Sequence, residues 1–173
     1  AQLAEQPQQF DFHVICGPTG SAKTRVLGAL AERGAQVLDL EGLAAHKGSV
    51  LGALPGRPQP SQKGFDTTLH STLAGPDPAR PVFVEAESRK IGAIHLPEAL
   101  LQRMRAAPCV AIDASHDARI AYLVRDYAYL GEDGDNLARR LNFLHRVQSR
   151  ERLDRWQTLS RTGEITAIYT ELI

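Results

Sequence analysis

The sequence predicts an α/β fold in which a parallel sheet is flanked by helices and followed by a helical C-terminal part. Three observations carry that prediction. Apolar runs of strand length at residues 12–16, 36–40, 81–87 and 108–113 alternate with stretches of helical periodicity. The third run stays apolar until its carboxyl end, as a parallel strand covered on both faces does. Between the first strand and the first helix stands GPTGSAKT, residues 17–24, which gives the sheet a P-loop NTPase-like character.

Taken in order, residues 1–9 are polar and Gln-rich and read as a linker remnant. The α/β domain is then expected at 10–130 and a helical C-terminal extension at 131–173. After the phosphate loop, Val26, Leu27, Leu30 and Ala31 mark the buried face of a helix that Gly34 stops. A second strand follows at 36–40. Residues 41–64 are rich in Gly, Pro and Ser, long for a passive connection, and expected to bind something. A short helix over 65–73 ends at the Gly75-Pro76-Asp77-Pro78 break. The third strand ends in Glu85 and Glu87. A helix begins after Pro97 and runs to about Ala106, and the fourth strand leads to a helix near His116. From Asp117 the pattern is helical, with turns at residues 131–134 and at Thr162-Gly163.

Composition limits the partners. The 173 residues carry 20 basic and 20 acidic side chains, so no global positive field points to a nucleic acid. Any such contact must be local. Cys16 and Cys109 lie in apolar strand-like runs and are expected as small buried thiols rather than nucleophiles or zinc ligands. No apolar run reaches the about 18 residues that span a bilayer, and the first ten residues lack the pattern of a secretory signal. A cytoplasmic location with no membrane partner is therefore expected. The chain opens on Ala1, which we read as excision from something longer.

The chemistry centres on Gly17, Thr19, Gly20, Ser21, Ala22, Lys23 and Thr24. Their backbone N–H groups and the positive end of the following helix suit a diphosphate. Ala22 stands where the pattern ordinarily has its last glycine. Adjacent strand ends bring Lys23, Thr24, Glu85 and Glu87 toward one crevice. Thr24 and Glu85 are the expected metal positions, with magnesium as the cation, and only one of the two glutamates is expected to face inward. Ser88, Arg89 and Lys90 follow at once, and their cations suit a diphosphate or an RNA backbone. Lys23, Arg89 and Glu87 are the catalytic candidates. His46, Lys47, Gln59, Ser61 and Gln62 of the long loop, with Arg125 of the arginine-rich helical half, complete the candidate substrate or RNA contacts.

Five segments in order resemble one family: GPTGSAKT from Gly17, DLEGLAAHKGS from Asp39, QPSQKGFDTTL from Gln59, VEAESRKIGAIHLP from Val84 and RIAYLVRDY from Arg119. The family is tRNA 2-selenouridine synthase, and the stretch from Glu87 to Pro97 is its most specific part. The resemblance implies an enzyme acting on the wobble 2-thiouridine of tRNA. It geranylates the sulfur with geranyl diphosphate, then replaces the S-geranyl group with selenium from selenophosphate. It also implies a rhodanese-like domain of the same protein carrying the nucleophilic cysteine, which neither Cys16 nor Cys109 matches. The resemblance makes geranyl diphosphate and selenophosphate substrates, with no organic cofactor expected, and it implies an apolar pocket around the geranyl chain for which Phe65, Leu51 and Leu54 are the candidate walls. Two alternatives stay open: an ATP- or GTP-dependent small-molecule kinase, and a non-catalytic module that presents tRNA.

Overall fold

The computed structural model describes residues 2–49, 51–131 and 134–173. The chain forms two compact units, one of residues up to Pro18 together with 22–112, the other of 19–21 together with 113–173.

In the first unit, helix α1 (Gln2–Glu5) and a 3-10 turn (Gln6–Gln9) precede strand β1 (Phe12–Cys16). Helix α2 (Lys23–Glu32), strand β2 (Gln36–Leu38) and the short α3 (Leu40–Ala44) come next, then α4 (Gln62–Thr72) and β3 (Val82–Glu85). A hairpin of β4 (Lys90–Ile91) and β5 (Ile94–His95) leads into α5 (Glu98–Ala106) and β6 (Cys109–Ala111). The four longer strands lie parallel in the order β2-β3-β1-β6. This is the α/β sheet with flanking helices that the sequence predicts.

The order has a direct consequence for the site. Register pairs Ile15 with Glu85, so the end of β3 stands level with the last turns of chain before the phosphate loop. One face of the sheet presents Phe12, Val14, Val82 and Val84, which pack with Phe65 and Leu69 of α4 and Leu100, Leu101 and Met104 of α5. These positions alternate along each strand, as the two-residue period requires. The side chains of Phe65, Leu69 and Leu100 are wholly buried, and burying one such group stabilises by about 1.5–3 kcal/mol.

Several expectations need correction. Of the stretch 1–9 expected as a linker remnant, residues 2–9 are helical: Leu3 packs against the core, Pro7 is buried, and Gln6 Nε2 donates to the His70 carbonyl at 3.1 Å. The hairpin β4–β5 adds two short strands to the four that the sequence predicts; Gly92 takes φ 59° at its turn, a conformation that favours glycine. Strand β6 is an edge strand whose three residues are all exposed, where a covered strand is expected. Cys109 is accordingly exposed, and it forms a disulfide with the half-buried Cys16 across neighbouring strands, Cα to Cα 6.0 Å, instead of both lying buried as thiols. Phe65 and Leu51 are core residues, 0% and 3% exposed.

The second unit contains α6 (His116–Asp126), α7 (Ala128–Gly131), α8 (Gly134–Leu141), a 3-10 turn (Asn142–Arg146), α9 (Arg150–Arg161) and α10 (Ile165–Leu172). Its centre holds Trp156, Leu137, Leu141 and Ile168, all 0% exposed, and Trp156 Nε1 donates to Glu171 Oε2 at 2.8 Å. Gly134 is fixed by packing: a Cβ there would overlap the Ser160 carbonyl oxygen. Helix α6 packs with α10, so the division falls after Ile112 rather than at the expected 130/131. Of the turn expected at residues 131–134, Glu132 and Asp133 lie outside the described residues. No helix among the described residues is long and apolar enough to cross a membrane.

Candidate phosphate and metal site

The phosphate loop leaves β1 at Gly17 and enters α2 at Lys23. Gly17, Pro18, Ala22, Lys23 and Thr24 belong to the first unit, and Thr19, Gly20 and Ser21 to the second. Within the second unit Arg119 Nε donates to the Thr19 carbonyl at 2.8 Å. Gly20 has φ 83°, and a Cβ on it would meet the Arg119 carbonyl oxygen at 2.9 Å, so conformation and space both require glycine. Ser21 is 4% exposed.

Ala22 caps α2 with φ 63° and ψ 30°. That left-handed conformation is why the pattern ordinarily has glycine at this position. An L-residue there costs roughly 1–2 kcal/mol. Lys23 Nζ donates to the Gly17 carbonyl at 3.0 Å, which holds the ammonium across the base of the loop.

Behind Thr24 three carboxylates converge. Oxygens of Glu41, Glu85 and Glu87 lie within 4.8 Å of one another. Thr24 Oγ1 is 3.2 Å from Glu85 Oε2 and 3.3 Å from Glu41 Oε2. A hydroxyl carries one proton, so it donates to only one of them at a time. The Gly48 N–H donates to Glu41 Oε1. A Cβ on Gly48 would lie 2.8 Å from Glu87 Oε2 and 3.0 Å from Glu41 Oε1, so a larger residue there would displace those carboxylates. Glu85 is 2% exposed, and its Oε1 is buried without a hydrogen-bond partner among the described residues.

Burial and mutual repulsion disfavour three negative charges in this space. Burial, then the Glu41 carboxylate, pushes Glu85 up to about 7. Glu87 rises to about 8 through burial, with Glu41 and Glu85 adding to it. Glu41 is also raised by burial, although the Gly48 N–H and Thr24 hydroxyl oppose the shift. The donors are all oxygens, the set a hard divalent cation takes, and the orphaned Glu85 Oε1 fits such an ion. Both glutamates of β3's end therefore join the cluster, against the expectation that one would turn away. Glu85 ends β3 and Glu87 lies two residues beyond it, so the chain leaving the strand carries the second carboxylate into the cluster.

Glu41 is the residue sequence reasoning missed. It follows β2, and only the β2-β3-β1 order brings the ends of β2 and β3 beside the loop. The signal present was an acidic residue just past an apolar strand, the same signal that singled out Glu85.

The other candidates are dispersed. Gln59 Nε2 donates to the Ala44 and Ile91 carbonyls while its Oε1 accepts from Ala93 N–H, so it clamps the long loop to the hairpin. Gln62 similarly exchanges hydrogen bonds with the backbone of His95, and Ser61 caps α4 by accepting from Gly64 N–H. These three side chains are engaged in holding the fold. His46 is 8% exposed, its ring set against Gly52 and Gly92, which places it inside the loop rather than on an RNA-facing surface. Lys47 is half-buried, and its N–H donates to the Gly52 carbonyl. Ser88 Oγ donates to the Lys90 carbonyl, and Lys90 is exposed. Arg89 is exposed and lies 3.6 Å from Glu98 Oε2. Arg125, in the second unit, stands over the Tyr122 ring at 5.8 Å.

Residues 10–151 match the family model described as tRNA 2-selenouridine synthase AAA domain. Similar proteins include the tRNA 2-selenouridine synthase of Alcanivorax borkumensis, 34% identical over 94% of this chain and 50% of its own length. That of Marinobacter nauticus is 36% identical over 91% of this chain and 45% of its own length, and that of Cupriavidus pinatubonensis is 44% identical over 68% and 31%. The chain thus spans about half the length, or less, of the curated relatives it matches. With residues 10–151 matched by its model, the chain belongs to the tRNA 2-selenouridine synthase AAA-domain family.

Proposed function

We propose that this chain is the phosphate-binding domain of a tRNA-modifying transferase, that it holds geranyl diphosphate at residues 17–24, and that it transfers the geranyl group to the sulfur of wobble 2-thiouridine. The observation that carries the reading is a phosphate loop whose Lys23 reaches across its base to the Gly17 carbonyl and whose Thr24 pairs with Glu41 and Glu85, two members of the carboxylate cluster that Glu87 completes. That pairing suits an anionic head group brought in with a cation. The names of the relatives support tRNA as the substrate.

In the reaction the C1–O bond of geranyl diphosphate breaks and a C1–S bond forms. Diphosphate leaves with the bonding electrons, and the alkylated thiouridine loses its N3 proton to become neutral. Lys23 stabilises the charge that grows on the departing diphosphate. Glu87, once ionised, is the acceptor we assign to the N3 proton, because a carboxyl raised to about 8 changes protonation near neutral pH. Magnesium, when bound through Thr24 and the carboxylates, would neutralise the diphosphate further. Arg89 is assigned to the same anion or to the RNA backbone. Replacement of the geranyl group by selenium from selenophosphate is assigned to a rhodanese-like domain of the same protein, acting in the cytoplasm.

Calorimetric titration with geranyl diphosphate and magnesium, beside ATP and GTP, tests the reading. Geranyl diphosphate is expected to bind, and Lys23→Ala to weaken it at least tenfold. Preference for ATP or GTP would replace this reading with a kinase. Retention of geranyl transfer by Lys23→Ala within the full-length enzyme would make the domain a tRNA-presenting module.

A further inference from the structure

We propose that Arg119 of α6 is a positioning residue of the phosphate site: it holds the Thr19–Gly20 peptide so that the Gly20 N–H is presented to the bound anion. The inference rests on the reading of residues 17–24 as that site. It concerns the second unit alone, to which Thr19, Gly20, Ser21 and α6 all belong.

Arg119 meets the loop twice. Its Nε donates to the Thr19 carbonyl at 2.8 Å, and its own carbonyl oxygen stands 2.9 Å from where a Cβ on Gly20 would be. Leu123, 3% exposed, closes the same spot with its Cγ at 3.1 Å. Residues four apart share one face of a helix, so Gly20 rests on a surface that α6 supplies. A trans peptide unit is planar and directs its C=O and its N–H to opposite sides. No cis peptide bond occurs among the described residues. Turning the Thr19 carbonyl toward Arg119 therefore turns the Gly20 N–H away from that guanidinium. Phosphate loops bind by aiming such N–H groups at the anion, and a group aimed beforehand loses less freedom on binding.

Two further observations fit an anion at this part of the loop. Arg119 is half-buried, and no carboxylate lies within ion-pair distance of it among the described residues, so no acid matches its charge. Ser21 follows Gly20 directly and is 4% exposed, and its Oγ is buried without a hydrogen-bond partner among the described residues. A buried hydroxyl left unpaired is costly, and a phosphate oxygen would accept from it.

The test uses the 173-residue chain labelled with nitrogen-15, with pyrophosphate and magnesium as the probe. The Gly20 amide reports the site. Trp156, the single tryptophan and wholly buried in the second unit, reports the fold through its indole N–H. Pyrophosphate is expected to shift the wild-type Gly20 amide. Arg119→Ala is expected to weaken pyrophosphate about tenfold or more and to abolish that shift, with the Trp156 resonance in place. Arg119→Lys, whose ammonium can donate to the same carbonyl, is expected to restore both. Undiminished affinity in Arg119→Ala, a stationary Gly20 amide in the pyrophosphate-bound wild type, or a loss that Arg119→Lys leaves unrepaired overturns the inference while the phosphate-site reading stands. Failure of the wild type to bind pyrophosphate overturns both. Should Arg119→Ala fail to fold, the wild-type Gly20 amide and Arg119→Lys decide.

Discussion

Replacing Glu85 by Gln should change how stability depends on pH, and the structure sets the size of the change. Glu85 is 2% exposed, and its carboxyl is raised from 4.5 to about 7 by burial and by Glu41. Below pH 4.5 the group is protonated in both folded and unfolded chains. Between 4.5 and about 7 the unfolded chain has released the proton that the folded chain keeps, so stability falls as pH rises, and above about 7 the loss is complete. A shift of this size corresponds to about 3 kcal/mol at most. Glu87 adds a fall of the same sign that extends to about pH 8. The three groups titrate as a unit, so the whole-protein curve is the quantity to measure. In chelator, urea midpoints from pH 5 to pH 8.5 should decline for the wild type and decline by about one proton's worth less for Glu85→Gln. Added magnesium should restore the wild type at high pH, by about 2.7 kcal/mol at a hundredfold excess over its Kd, and restore the variant less. A wild-type curve flat from pH 5 to pH 8.5 in chelator, or an equal slope in Glu85→Gln, would refute the reasoning.

Two further substitutions separate site from scaffold. Gly48→Ala inserts a Cβ 2.8 Å from Glu87 Oε2 and 3.0 Å from Glu41 Oε1; both atoms end flexible side chains, so stability should change by less than about 1 kcal/mol while calorimetric magnesium affinity falls at least tenfold. Unchanged affinity would remove Glu41 and Glu87 from the cation site. Gln59→Ala deletes three hydrogen bonds to backbone groups, at Ala44, Ile91 and Ala93; a loss of about 2–4 kcal/mol in denaturant unfolding is expected, with diphosphate affinity of the folded fraction retained. Selective loss of substrate binding at full stability would return Gln59 to the role of a contact.

Much of the sheet was legible because parallel strands under helices leave near-continuous apolar runs, and Phe12–Cys16 and Val82–Glu85 stand almost where the pattern puts them. The edge strand was legible as a strand but not as exposed. Periodicity reports what a segment can bury, whereas Cys109, Val110 and Ala111 depend on what the rest of the chain lays over them. Polar residues misled in the opposite direction. Gln59, Gln62 and Ser61 occupy a long loop and carry groups that suit a ligand, yet a long loop must first satisfy its own backbone, and these side chains do so.

The site itself was legible in proportion to how local its parts are. Lys23 and Thr24 are adjacent in sequence and belong to one motif, so the eight residues from Gly17 suffice to find them. Glu85 and Glu87 needed one further step, that β3 neighbours β1, which the doubly wound pattern supplies. Glu41 needed two, that β2 flanks β3 and that the chain after β2 turns back toward Thr24, 17 residues away. The short helix after β2 makes that turn: Asp39 caps it by accepting from Gly42 N–H, and Ala45 ends it at φ 49°. Gly48 then passes between two carboxylates that a Cβ would displace. A loop read from its composition as a ligand contact is, over this part, the back wall that forces three carboxylates together, and their unfavourable proximity is what a cation brought in with a diphosphate would relieve.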